Sequence, residues 1–257
     1  MSNKYGNWLP MPRFLLRKNA LNSILKNMNL KNKKCLEIGF GAGEILKLLA
    51  SKDARVTGFD FSEDAAEIAR KRTNKFQKKE NISITTNLDE IKQEYFDIIL
   101  ALEVLEHIKD DHLVFSQWLK YLKPGGSLIL SVPAHMDKWG DNDVWAGHYR
   151  RYEKNELIAM CDENNTSILQ LWNYGYPLTI ILDKLLHSSK KNEVEDIKST
   201  NISNDELSKK SGIKRDNKLI YRLLSNDIVL FPFYILQKLF YKNDIGSGYI
   251  LHLQKKQ

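Results

Sequence analysis

The sequence predicts a doubly wound α/β fold, a mostly parallel sheet covered by helices on both faces, and three observations carry that prediction. Apolar strand-like runs alternate with helical segments from residue 33 to residue 173, three closely spaced glycines follow the first strand, and the second strand ends in an aspartate. Strands are placed at 33–39, 54–60, 82–86, 95–102, 126–132 and 166–173, and helices at 42–51, 62–77, 110–122 and 153–163. A parallel strand buried on both faces reads as a continuous apolar run, as Phe96-Asp97-Ile98-Ile99-Leu100-Ala101-Leu102 does.

The first strand, Cys35-Leu36-Glu37-Ile38, is ended by Gly39, Gly41 and Gly43, which let the backbone turn tightly into a helix. The second strand, Arg55 to Phe59, stops at Asp60. Carboxyl ends of neighbouring strands open onto one crevice, so Asp60 is placed to accept both hydroxyls of a ribose lying over the glycine turn. The spacing then separates cofactors. A dinucleotide turn needs G-x-G-x-x-G, with the pyrophosphate on the helix N-terminus, whereas this chain has G-x-G-x-G followed by Glu44, an acid that repels a pyrophosphate. Glu37 points the same way, since an acid here suits a cationic amino-acid ligand.

These residues resemble the first motif of the class I S-adenosylmethionine-dependent methyltransferases, E/D-x-G-x-G-x-G with an acid ending strand two. The later blocks follow in the family's order: Phe96 to Leu102, then Glu103-Val104-Leu105-Glu106-His107-Ile108, then the turn Leu122-Lys123-Pro124-Gly125-Gly126 into Ser127 to Val132. The resemblance covers residues 1 to about 175 and the last strand, Tyr249-Ile250-Leu251-His252-Leu253. It implies a Rossmann-like seven-stranded sheet with an antiparallel last strand. It also implies S-adenosylmethionine contacts from Glu37, Gly39, Phe40, Gly41, Gly43 and Asp60, and further along from Phe61, Asn87, Leu88, Leu102 and Glu103.

With 257 residues and 42% apolar composition, the chain can bury one α/β core with an appendage. Cys35 and Cys161 give neither a disulfide framework nor a zinc spacing and are expected to be inert buried thiols. The N-terminal residues are not expected to act as a signal peptide. No apolar run approaches the roughly 20 residues of a membrane span, and Ile228 to Leu236 is broken by Pro232. A cytoplasmic location, free or membrane-peripheral, is the expectation.

The net charge of +7 is concentrated at one end. Lys4, Arg13, Arg17, Lys18, Lys26, Lys31, Lys33 and Lys34 precede Glu37, the first acid, so residues 1–32 form a basic arm and the rest is close to neutral. Phe14, Leu21, Leu25 and Met28 recur at near-helical spacing behind Pro10 and Pro12, which predicts an amphipathic helix. It packs on the sheet or over the cofactor, or meets an anionic membrane, a phosphorylated substrate or RNA. The near-neutral remainder argues against nucleic acid as the main partner.

Residues 33–173 and 246–257 make up the cofactor-binding domain, and residues 174–245 break the alternation. They comprise an apolar segment from Pro177 to Leu186, a polar stretch from Ser188 to about Asn217 and a second apolar segment from Leu219 to Tyr241. An insertion of about 70 residues beside the crevice is longer than a connector requires and reads as a helical substrate lid with a mobile middle. Its aromatic residues serve core packing, an acceptor pocket, a dimer interface or a bilayer contact.

Candidate chemistry clusters after the fourth and fifth strands. If Glu103 begins a helix, it shares a face with Glu106 and His107 at i+3 and i+4. One histidine and two carboxylates at that spacing can hold a divalent cation with positions left open. This E-x-x-E-H resembles the metal motif of small-RNA 3′-terminal 2′-O-methyltransferases, in which a later histidine joins, here His148, and also a block of ubiquinone-pathway O-methyltransferases. The resemblance thus implies a possible metal set of Glu103, Glu106, His107 and His148. His107, His135 and His148 are the candidate bases, and Trp139, Trp145, Tyr149, Arg150 and Arg151 the candidate acceptor contacts. The reading is an O-methyltransferase acting on a small glycan, lipid-linked or secondary-metabolite precursor, with an RNA or quinone methyltransferase and a non-catalytic cofactor-binding protein as rivals.

Overall fold

The computed structural model describes residues 9–77, 79–186, 191–200, 202–213 and 224–257. Seven strands form one sheet: β1 (Lys34–Ile38), β2 (Arg55–Phe59), β3 (Ile82–Thr85), β4 (Phe96–Leu102), β5 (Leu122–Pro133), β6 (Thr166–Tyr174) and β7 (Gly248–Lys255), in the order β3-β2-β1-β4-β5-β7-β6. β1 lies parallel between β2 and β4, and β7 runs antiparallel between β5 and β6, as the resemblance implied. Chain direction from β1 goes one way to β2 and the other way to β4, so the crevice opens at the carboxyl end of β1.

From Ile98 onward, past the irregularity after Phe96, residues on the two faces of β4 separate. Ile98, Leu100 and Leu102 enter one hydrophobic core, while Ile99 and Ala101 enter the other. The second core lies under α4 (Asp111–Tyr121) and α6 (Lys154–Glu163), with Phe115, Trp118, Leu157 and Met160 buried. The first lies under α2 (Glu44–Ala50), α3 (Glu63–Gln77) and the N-terminal helix α1 (Pro12–Leu25). Leu100 has no exposed surface. Leu100→Ala is therefore expected to lower unfolding free energy by about 2–5 kcal/mol in urea titrations, by lost burial plus a cavity. Cys35 and Cys161 are both buried, and burial pushes the Cys35 thiol up to about 12 and that of Cys161 up to about 11.

Three elements differ from the sequence-based expectation. Leu122 to Gly126, read as a turn, extends β5 as a bulge: Phe96 pairs with Leu122 but Ile98 with Ser127, and Gly125 takes up a left-handed φ of 72°. The arm helix buries Leu15, Leu16, Ala20, Leu21, Ile24 and Leu25, a stripe displaced from the Phe14 and Met28 positions, which are only half-buried. It packs against β6, β7 and a later helix, so it belongs to the main core. Within the polar stretch of the insertion, α8 (Lys191–Thr200) and α9 (Asn204–Ile213) each anchor one buried residue, Val194 and Leu207, and pack against α5 (Asp141–Ala146). Residues 187–190, 201 and 214–223 of the expected lid lie outside the described residues. Among the described residues, the other helices of the insertion are α7 (Leu178–Leu186) and α10 (Asp227–Leu239).

Candidate active site

A cavity of about 800 Å³ lies over the carboxyl ends of β1, β2 and β4, within the size range of small-ligand sites. Its floor is the glycine turn. Gly39, Gly41 and Gly43 have φ of 71°, 49° and 76°, values that disfavour side chains, and a Cβ on Gly39 would collide with Val104 Cγ2. The Gly39 N–H donates to the Phe59 carbonyl at 2.8 Å and so fixes the turn against β2.

Asp60 sits at the end of β2 with its carboxylate cradled by two backbone donors, Gly41 N–H to Oδ2 and Ser62 N–H to Oδ1, each at 3.0 Å. Burial pushes its pKa up, while those two donors pull the other way. Glu37 is buried, and its Oε2 has no hydrogen-bond partner. Burial first, and the nearby Asp60 second, raise the Glu37 pKa well above the ordinary carboxylate range. A buried acid with a free oxygen is poised to accept from a cationic ligand. Glu44 lines the cavity, but Lys47 at 2.6 Å and Arg72 hold its carboxylate, so its charge is compensated within the fold.

Phe40, Phe61, Leu88 and Leu102 also line this half, with Phe61 and Leu88 partly open to solvent. Gly43 and Asn87 are not part of the lining: Gly43 precedes α2, and the exposed Asn87 side chain accepts the Asp89 N–H at 3.0 Å to cap a short turn.

Glu103 does not start a helix. Its φ is 58°, and the helical turn covers only Leu105–His107. Oε1 accepts Ser131 Oγ at 3.0 Å and the Tyr174 hydroxyl at 3.1 Å, and Oε2 faces Arg17 Nη1 at 3.4 Å. Glu103 therefore opens on the cavity but stands apart from the cluster expected to hold a metal, because the left-handed backbone removes it from the Glu106–His107 face.

Glu106, His107 and His148 do converge, with one potential ligand atom from each within 4.8 Å of the others. His107 Nε2 and His148 Nε2 lie 4.0 and 3.9 Å from Glu106 Oε1. Glu106 is fully buried and neither oxygen has a hydrogen-bond partner; burial and then Glu103 raise its pKa well above normal. Burial, followed by the neighbouring His148, lowers the His107 pKa to about 3. His148 is oriented from behind, its Nδ1 2.9 Å from Asp143 Oδ1. Asp143 in turn receives Arg151 Nε at 3.0 Å and Nη2 at 2.8 Å. Burial opposes the Asp143 charge, but His148 and Arg151 overcome it and bring its pKa to about 2.

Of the expected acceptor contacts, Trp145 and Tyr149 line the cavity, and Trp145 Nε1 donates to Glu193 at 2.9 Å. Trp139 is not part of the lining. Arg150 is engaged by Asp111 at 2.8 Å and the Lys109 carbonyl at 2.7 Å, and Arg151 is buried against Asp143, so neither guanidinium faces the cavity. His135 also lies outside it, just past the end of β5 with a left-handed φ of 65°, held between Glu153 at 3.1 Å and Asp244 at 3.5 Å.

Sequence reasoning weighed the arm helix over the cofactor without assigning its residues to the site, and it missed Tyr174 and Asp143. Arg13, Phe14 and Arg17 of α1 line the cavity, Arg13 also pairing with Asp183. Tyr174 ties Glu103 to β6. Asp143 supports two groups at once, and no local pattern announces it. Asp143→Ala leaves Arg151 charged and buried; the expected loss is about 3–5 kcal/mol of stability, read by urea titration.

A family model described as a methyltransferase domain matches residues 11–171. The chain belongs to that family. The ubiquinone biosynthesis O-methyltransferase of Coxiella burnetii is 33% identical over 124 residues, 47% of this chain and 52% of the relative. The chain thus spans about half the length of the curated relatives it matches. The fold is also that of phosphoethanolamine N-methyltransferase 2 from Haemonchus contortus, solved with S-adenosyl-L-methionine. That match has a TM-score of 0.59 and 17% identity and covers 94% of this chain and 53% of the other. The YcgJ protein of Bacillus subtilis has the same TM-score, 0.59, at 16% identity, covering 93% and 99%.

Proposed function

We propose that this chain transfers the methyl group of S-adenosylmethionine to a hydroxyl of a small acceptor. One observation carries the reading: a single cavity holds the acids of the glycine turn at one end and His107 with His148 at the other. Asp60 takes the two ribose hydroxyls and Glu37 the cationic amino-acid end, which gives its free oxygen a partner. Phe40, Phe61 and Leu88 cover the base. The sulfonium supplies a good leaving group, so the protein's work is placement, which is worth on the order of 7–11 kcal/mol, and removal of the acceptor's proton. His148, held in one orientation by Asp143, takes that proton at Nε2. The O-methyltransferase names of the relatives support a hydroxyl acceptor.

A second reading is favoured by Glu106, whose buried oxygens have no hydrogen-bond partner. Glu106, His107 and His148 would hold a divalent cation, with Asp143 orienting His148 as an outer-shell carboxylate. Such an ion would make an alcohol easier to deprotonate. We take the acceptor to be a glycan, lipid-linked or secondary-metabolite precursor; among the described residues no helix is long and apolar enough to cross a membrane.

The test is transfer of labelled methyl into a cell extract, split into organic and aqueous phases, with and without a chelator. Label in the organic phase identifies a lipid-linked or quinone-like acceptor. Loss of label with chelator, together with a melting temperature raised by added metal, supports the cation. No label in either phase would overturn the transferase reading.

A further inference from the structure

We propose that the outer face of α10 docks on an anionic lipid bilayer. Ile228, Phe231, Ile235 and Leu239 are 83%, 60%, 52% and 72% exposed. Their spacing sets them on one side of the helix. The opposite side is fixed to the protein: Leu230, Tyr234 and Gln237 are buried, with Gln237 Nε2 donating to the Leu16 carbonyl at 3.1 Å and its Oε1 accepting the Gly175 N–H at 3.3 Å. The exposed stripe is thus a rigid apolar ridge.

Charge and size choose the occupant. From Ile228 to Asn243 the chain carries Lys238 and Lys242 and no acid, both lysines are exposed, and the next acid, Asp244, accepts from the Tyr249 hydroxyl and lies 3.5 Å from His135 Nε2. Asp227, at the helix start, is occupied by the Tyr234 hydroxyl at 2.6 Å. An apolar ridge with basic residues at one end matches a surface of acyl chains beneath anionic headgroups. A helix of 13 residues is about 20 Å long, too short to span a bilayer of about 30 Å, and so lies in its plane. One such stripe also offers far less than the roughly 800 Å² per partner of a stable protein dimer.

The ridge is connected to the candidate active site. Through the Gln237–Leu16 contact and the bond from Ser225 Oγ to the Pro10 carbonyl at 2.8 Å, α10 is held to α1, whose Arg13, Phe14 and Arg17 line the cavity. Docking there would bring the cavity rim near the bilayer, which suits a lipid-linked acceptor; that last step rests on the transferase reading, while docking itself does not.

The experiment is co-sedimentation of the full chain with phosphatidylglycerol/phosphatidylcholine vesicles and with phosphatidylcholine alone. The variants Phe231→Ser/Leu239→Ser and Lys238→Glu/Lys242→Glu are run beside it. Wild type is expected to pellet with the anionic vesicles, and each double variant to bind them roughly tenfold or more weakly. Melting temperature and S-adenosylmethionine affinity should stay unchanged, since all four residues are exposed and outside the cavity. Absence of wild-type binding, or equal binding by both variants, would overturn the proposal. So would a wild-type dimer that the serine variant converts to monomer without any vesicle binding, which would assign the ridge to a second copy. Loss of methyl transfer with vesicle binding intact would instead strike the transferase reading.

Discussion

Asp60→Ala is expected to weaken S-adenosylmethionine binding by about 10²–10⁴-fold, measured by calorimetric titration. Two charge-assisted hydrogen bonds to the ribose, each worth about 1.5–3 kcal/mol, are lost together. The glycine turn also suffers, because the Gly41 N–H that donates to Asp60 Oδ2 at 3.0 Å loses its partner. Asp60→Asn separates the two effects: it keeps an acceptor for one backbone donor while removing the charge, so it should fall between wild type and alanine. An Asp60→Ala protein with native affinity would remove the cofactor assignment for this cavity.

His148→Ala has the second large expected effect, a fall of about 10²–10⁴ in turnover with S-adenosylmethionine affinity little changed. The split follows from geometry, since His148 belongs to the cluster with Glu106 and His107, whereas Asp60 belongs to the glycine turn. Glu106→Gln should show a similar turnover loss under the cation reading and a much smaller one if His148 alone removes the proton. Comparing the two variants with and without added metal distinguishes these readings.

The geometry of the glycine-turn end of the cavity was legible because its constraints are local. Gly39, Gly41 and Gly43 need left-handed backbone, Asp60 ends a strand beside them, and both facts are fixed within a few residues of sequence. The cluster of Glu106, His107 and His148 was only partly legible. His107 adjoins Glu106 in sequence, but His148 reaches them across about forty residues, and Asp143 matters only through its simultaneous contacts with His148 and Arg151. Spacing also misleads where backbone conformation departs from the assumed helix. Glu103 has φ of 58° and turns toward Arg17, Ser131 and Tyr174 instead of toward Glu106. Arg150 and Arg151 look like anion receptors in a linear reading, yet Asp111 and Asp143, distant or unremarkable in sequence, already claim them. The arm helix shows the same limit. Its basic character is plain in the sequence, but the placement of Arg13 and Arg17 in the cavity wall depends on how α1 packs against α10, β6 and β7.

The most direct test of the account is single-turnover methyl transfer, from enzyme loaded with methyl-labelled S-adenosylmethionine to the acceptors of a cell extract, by wild type and by His148→Ala. Wild type should pass its label to an acceptor as a methyl ether, while His148→Ala should hold the labelled cofactor equally well and transfer it at least a hundredfold more slowly. A loaded wild-type enzyme that transfers to nothing, or a His148→Ala enzyme that transfers at the wild-type rate, would contradict it.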